Sequence, residues 1–121
     1  MRQFVNALVF TMAWLCLVWN GVATANAFEP TAKRKSELVF LVRQDCGSCH
    51  GMTLGGGLGS PLLPHHLADK PKEALVSTIL HGRPGTAMPG WRSFINEDEA
   101  DWIVQMLKSE FPALNTVERT R

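Results

Sequence analysis

The sequence lacks an excess of charge. Its 121 residues carry twelve Lys/Arg against eleven Asp/Glu, a formal net charge of +1. Such balance argues against nucleic acid as a partner and against bulk steering to a polyanion. Alternating apolar and polar runs are also missing, so no strand is expected. Gly55-Gly56-Gly57-Leu58-Gly59 has the look of a phosphate loop. It has no Gly-Lys-Ser/Thr ending and no preceding strand, which excludes that reading. The glycines instead suit positive φ or a close approach of backbone to something bulky. Cysteine is scarce, with three in the chain.

The one long apolar run, Phe4 to Trp19, is broken only by Asn6 and Thr11 and follows Arg2. It is shorter than the roughly 20 residues of a spanning helix. After it comes Ala25-Asn26-Ala27, a small-residue cleavage pattern, with Ala23-Thr24-Ala25 as a second possible cut. This is the layout of a secretory signal peptide over 1–27. Cys16 sits inside the apolar core, beside residues too large for a lipoprotein signal, and is expected to leave with it. The expected product, residues 28–121, is one domain of 94 residues with eleven charges of each sign and no membrane segment. Its two remaining cysteines are Cys46 and Cys49. A core this small commonly needs a staple.

Along that domain, Lys33-Arg34-Lys35 reads as a solvated face. Ser36-Glu37 can start a helix that runs to Cys46, with Leu38, Leu41 and Val42 on one face. Pro71 suits the first turn of a second helix, over Glu73 to Leu80, with Leu75, Val76 and Ile79 inward and Gly82 as its cap. Asn96, followed by three acids, starts the last helix. That helix carries Ala100, Ile103, Val104 and Leu107 on one face and stops at Phe111-Pro112. The expectation is an all-α domain of three to four short helices. The long loops Gly51 to Pro64 and Arg83 to Trp91 need something to organise them.

Asp45 to Gly51 reads DCGSCHG. A redox CxxC would need a βαβ setting that is not visible here. Zinc would need four closed ligands. Cys46, Cys49, His50 and one of His65, His66 or His81 could supply four, but the adjacent Cys49 and His50 point in different directions. Haem fits better, because CxxCH is the sequence signal of c-type attachment. Two thiols three positions apart can reach both vinyl groups of one porphyrin, and His50 can bind the iron from the proximal side. Thioether bonds would supply the staple and the porphyrin the missing core. For the sixth ligand, Met88 lies in a loop stiffened by Pro89, 38 residues after His50. Met52 is too near His50 to cross to the distal side, and Met106 belongs to the last helix. His81 is the rival, and His65-His66 reads as an exposed loop pair. Arg83 and Trp91 flank the Met88 loop and are candidates for hydrogen bonds to the haem propionates.

CxxCH, a proline-bearing loop and a Met-Pro loop before a final amphipathic helix together resemble a class I monohaem cytochrome c, over roughly Ser36 to Phe111. The resemblance implies that the first and last helices meet beside the haem, Leu38, Leu41 and Val42 against Trp102, Ile103 and Met106. It also implies a Gly-Pro-x-Leu loop whose proline carbonyl accepts a hydrogen bond from the proximal histidine. Here that loop reads Ser60-Pro61-Leu62-Leu63, which gives the role to Pro61. More closely, LVRQDCGSCHGMTLGGGLG, ILHGRPGTAMPGW and EADWIVQML are similar to the cytochrome c55X family. That likeness implies a monomeric periplasmic electron carrier of denitrification, not an enzyme, whose redox partner is cytochrome cd1 nitrite reductase or another periplasmic cytochrome. Two other readings remain open: a factor in late haem d1 maturation, and a haem enzyme or gas sensor with an open iron site.

Overall fold

The computed structural model describes residues 28–112. The expected signal peptide, its cut sites and Cys16 lie outside the described residues. Helix α1, Ala32–Leu41, starts four residues earlier than Ser36 suggested. The Thr31 hydroxyl accepts from the Arg34 amide and caps it, at 3.3 Å. Ser36 instead donates back to the Ala32 carbonyl at 3.2 Å, a mid-helix habit of serine that competes with capping. The chain continues without a break through a π-helical turn, Val42–Cys46, into α2, Gly47–His50. Gly51, at φ +85°, ends this rod.

The short helix α3, Pro64–Leu67, has proline in its first turn, where no amide hydrogen is needed. Helix α4 spans Lys72–His81 and ends at Gly82, whose φ is +71°. Helix α5, Glu97–Lys108, starts with a capping box. The Asn96 side chain accepts from the Glu99 amide and the Glu99 carboxylate accepts from the Asn96 amide, both at 2.9 Å. Among the described residues there is no strand, and no helix is long and apolar enough to cross a membrane.

Leu38, Val39 and Val42 are buried in one cluster with Ala100, Trp102, Ile103, Val104 and Leu107 of α5. The positions 100, 103, 104 and 107 follow the helical apolar stripe. Helices α1 and α4 divide their apolar side chains between the core and a cleft. On α4, Val76 and Leu80 enter the core, whereas Leu75 and Ile79 are only partly buried and face a cleft. Leu41 on α1 does the same. Part of the apolar surface therefore packs against no protein, as the small size of the core suggested.

Three long cations tie the elements together, which the sequence pattern did not show. Arg34 belongs to α1 and is not merely solvated. Its Nε donates to Glu99 Oε1 at 2.6 Å and its Nη2 to Glu99 Oε2 at 3.2 Å, joining the start of α1 to the start of α5. Nη2 also donates to the Phe94 carbonyl at 3.1 Å, and Nη1 donates to Glu37 Oε2 at 2.9 Å. Arg43 donates to the carbonyls of Phe111 and Pro112 and lies over the Phe111 ring. Lys108, at the end of α5, donates to the carbonyls of Leu67, Ala68 and Lys70 at 2.6–3.1 Å and so closes the end of α3.

Candidate cofactor site

The cysteine pair and His50 sit where the first rod ends. Cys46 closes the π-helical turn and is half-buried, and Cys49 is exposed on α2. The Ser48 hydroxyl donates to the Asp45 carbonyl at 2.6 Å, fixing the turn between them. No disulfide joins the two. Burial pushes the Cys46 thiol up to about 11, and the Asp45 carboxylate pushes the same way. A redox CxxC needs the opposite, a thiolate stabilised near neutral pH. Among the described residues no three His, Cys, Asp or Glu side chains gather as they would for a zinc ion.

His50 is held by one hydrogen bond. Its Nδ1 lies 2.7 Å from the Ser60 carbonyl oxygen. A carbonyl can only accept, so Nδ1 carries the proton and Nε2 keeps its lone pair for a metal. The acceptor is one residue earlier than expected: Ser60, not Pro61. Pro61 instead packs against Gly56, where an added Cβ would stand 3.1 Å from the proline ring. Proline fixes its own φ and restricts the residue before it to extended backbone, and that residue is Ser60.

The glycine-rich loop clamps the end of α2. Gly56 and Gly59 donate to the carbonyls of His50 and Cys49, both at 2.8 Å, filling acceptors that a helix end leaves open. Gly59 lies against the imidazole, and a Cβ there would come within 2.7 Å of Nδ1 and Cε1. The bulky neighbour anticipated for these glycines is thus the His50 ring and the helix end. The sequence marked the loop but did not single out Gly59 within it.

The Met88 loop is folded back on α4. Arg83 donates its amide to the Met88 carbonyl at 3.1 Å, and the amides of Trp91 and Arg92 reach the carbonyls of Ile79 and Leu80. Two glycines permit this fold. A Cβ on Gly82 would strike the Met88 carbonyl at 2.6 Å, and one on Gly90 the Leu80 carbonyl at 2.7 Å. The Thr86 hydroxyl donates to the Arg83 carbonyl at 2.8 Å and accepts from the Met88 amide at 3.3 Å.

Met88 and His50 line the same cleft, together with Cys46. Its walls combine the partly buried Leu41, Leu75 and Ile79 with the core residues Val42, Ile103, Val104 and Leu107. Arg83 and Trp91 line it as well, and both also line a second pocket, here called its mouth, that shares Cys46, His50 and Met88 with the cleft and adds Asp45, Cys49 and Leu58. The alternative ligands lie elsewhere. His81 is exposed and faces a separate groove with Lys72 and Asp101. His65 and His66 are exposed with ring centroids 4.1 Å apart. Met52 is 56% exposed, and Met106 packs on the core. A flat apolar group with two thiol-reactive edges fits this cradle: thiols at the mouth, a free imidazole nitrogen, a thioether and three apolar walls.

Comparison with known proteins agrees with this chemistry. Residues 35–107 match the family model described as cytochrome c oxidase, cbb3-type, subunit III. Cytochrome c55X of Paracoccus denitrificans is 54% identical over 100 residues, which cover 82% of this chain and 95% of that protein. The solved structure of the c-type cytochrome NirC superimposes with a TM-score of 0.67 at 48% identity, covering 69% of this chain and all of that one. Dihydro-heme d1 dehydrogenase NirN in complex with DHE superimposes at 0.56 and 37% identity, covering 65% of this chain but 17% of that one. The chain therefore belongs to the cytochrome c55X family, all-α class I c-type cytochromes that carry covalently bound haem c and transfer electrons.

Proposed function

We propose that the protein is a periplasmic single-electron carrier of nitrite reduction, with Cys46 and Cys49 as thioether anchors and His50 and Met88 as axial ligands. Haem c, when bound, supplies a one-electron ferric/ferrous couple, whose potential His/Met ligation raises. The observation that supports this most directly is that His50 and Met88, 38 residues apart, line one cleft with Cys46. The Ser60 carbonyl keeps the His50 proton on Nδ1 and so keeps Nε2 available. The Gly82–Gly90 backbone holds Met88 toward the same space. His50 and Met88 would together hold the haem iron and leave no open position for substrate, which is what a carrier requires. Arg83 and Trp91 offer donors to the propionates. The mouth, where Leu58 is 96% exposed beside Cys49, is where a redox partner docks through a small interface. Residues 1–27 direct export and are removed, leaving a monomer.

Carbon monoxide tests the carrier reading. The ferrous protein is expected to keep its spectrum under the gas, whereas ready binding would mean an open iron site. A second reading, a redox factor in late haem d1 maturation, draws on the likeness to dihydro-heme d1 dehydrogenase NirN. Deleting the gene in a denitrifier and assaying haem d1 in cytochrome cd1 nitrite reductase separates the two. Normal d1 content favours the carrier, and depleted d1 the maturation factor.

A further inference from the structure

The cleft is apolar along its length, yet its lining includes the ammonium-bearing Lys70 and the guanidinium of Arg83, and no Asp or Glu among the described residues. Neither cation is engaged. Lys70 has no carboxylate within salt-bridge distance among the described residues, whereas Lys33, Arg34, Lys35 and Lys72 all do. The Arg83 side chain makes no hydrogen bond to another described residue. Both residues are exposed, so each cation stays hydrated at the border of the cleft and is free to take an anion seated there. The haem carries two propionate carboxylates, which such a cation can pair.

We propose that Lys70 holds a haem propionate, at the part of the cleft away from Asp45. This rests on the haem reading above. Asp45 lines the mouth with Cys49 and does not line the cleft, whereas Lys70 lines the cleft and not the mouth. A carboxylate placed at the mouth would meet Asp45, and one placed beside Lys70 meets no acid of the lining. Thr78, which also faces the cleft, cannot substitute as donor, because its hydroxyl proton goes to the Ala74 carbonyl at 2.7 Å. The Lys70 backbone is well placed to present its side chain. The Lys70 carbonyl accepts from Lys108 Nζ at 2.6 Å and its amide donates to the Leu67 carbonyl at 3.1 Å. Lys108 is thus a positioning residue that fixes the turn carrying Lys70.

The test uses the holoprotein matured with covalent haem, as wild type and as Lys70→Gln, Lys70→Arg and Lys72→Gln. Lys72 serves as the charge control, since it faces a separate groove and pairs with Asp101 at 2.7 Å. The pyridine haemochrome spectrum first establishes covalent haem in the wild type, and its absence would overturn the haem reading itself. With haem in place, Lys70→Gln is expected to shift the propionate proton resonances in NMR. It is also expected to lower the midpoint potential, because losing a nearby cation eases the extra positive charge of the ferric state. Lys70→Arg should restore both, and Lys72→Gln should move neither. Propionate resonances unchanged in Lys70→Gln, or shifted equally in Lys72→Gln, would overturn the proposal.

Discussion

At the scale of single residues, the site depends on atoms that must be absent as much as on those present. Gly59 leaves room for the His50 ring, and a Cβ there would stand 2.7 Å from two of its atoms. Gly59→Ala should therefore push the imidazole off the Ser60 carbonyl, at a cost of about 1–3 kcal/mol from overpacking. In the holoprotein the prediction is a lower thermal midpoint and a shifted His50 ring-proton resonance. An unchanged resonance would mean that the ring is held by something other than this contact. Pro61 shows how far residue-level reading reaches. The resemblance to class I cytochromes c placed the acceptor of the histidine proton in the right loop, but the register of a loop is set by its bends. Here Pro61 packs on Gly56 and the acceptor is the carbonyl of Ser60.

At the scale of elements, the start of α1 is joined to the start of α5 by one ion pair. Glu99 is 7% exposed, accepts from Arg34 and also completes the capping box of α5. The Arg34 guanidinium, helped by the Asn96 amide, holds the Glu99 carboxyl below the usual carboxylate range. Its folded-state pKa is depressed, so the stabilisation is complete above the ordinary glutamate value, near 4.3. It is lost as pH falls through the lower folded value. Glu99→Gln keeps a capping-box side chain but removes the charge. It should cost about 1–3 kcal/mol at neutral pH, the range for hydrogen bonds to charged groups. The gap to wild type should close below about pH 4. Denaturant melts at several pH values check this, and a gap independent of pH would refute it. The helices themselves were legible: the α5 stripe, the Asn96 cap and the Gly82 stop follow from periodicity and turn chemistry. The partner of Arg34 was not legible, because Glu99 lies 65 residues away and one basic run looks like another in sequence.

At the scale of the molecule, several apolar faces find no protein to cover them. Leu41, Leu75 and Ile79 pack on the edge of the core and also line the cleft, and Met88 faces the same space from the far loop. That arrangement follows from a sequence too short to bury all its apolar residues against one another. The motif and Met88 announced the chemistry early, whereas Lys70 and Lys108 carried no pattern that could mark them. If the haem completes the core, its covalent anchors must bear on global stability. Cys46→Ala should lower the thermal midpoint, by about 4–8 °C for each kcal/mol lost in a domain of this size. Retention of full thermal stability would contradict the staple.

The central claim is that His50 and Met88 close on one iron. The ferric absorption spectrum of the matured wild type and of Met88→Ala tests it most directly. The account predicts the weak long-wavelength band of a methionine–iron bond in the wild type and its loss in the variant. A wild type without that band, or a Met88→Ala protein that keeps it, would contradict the account.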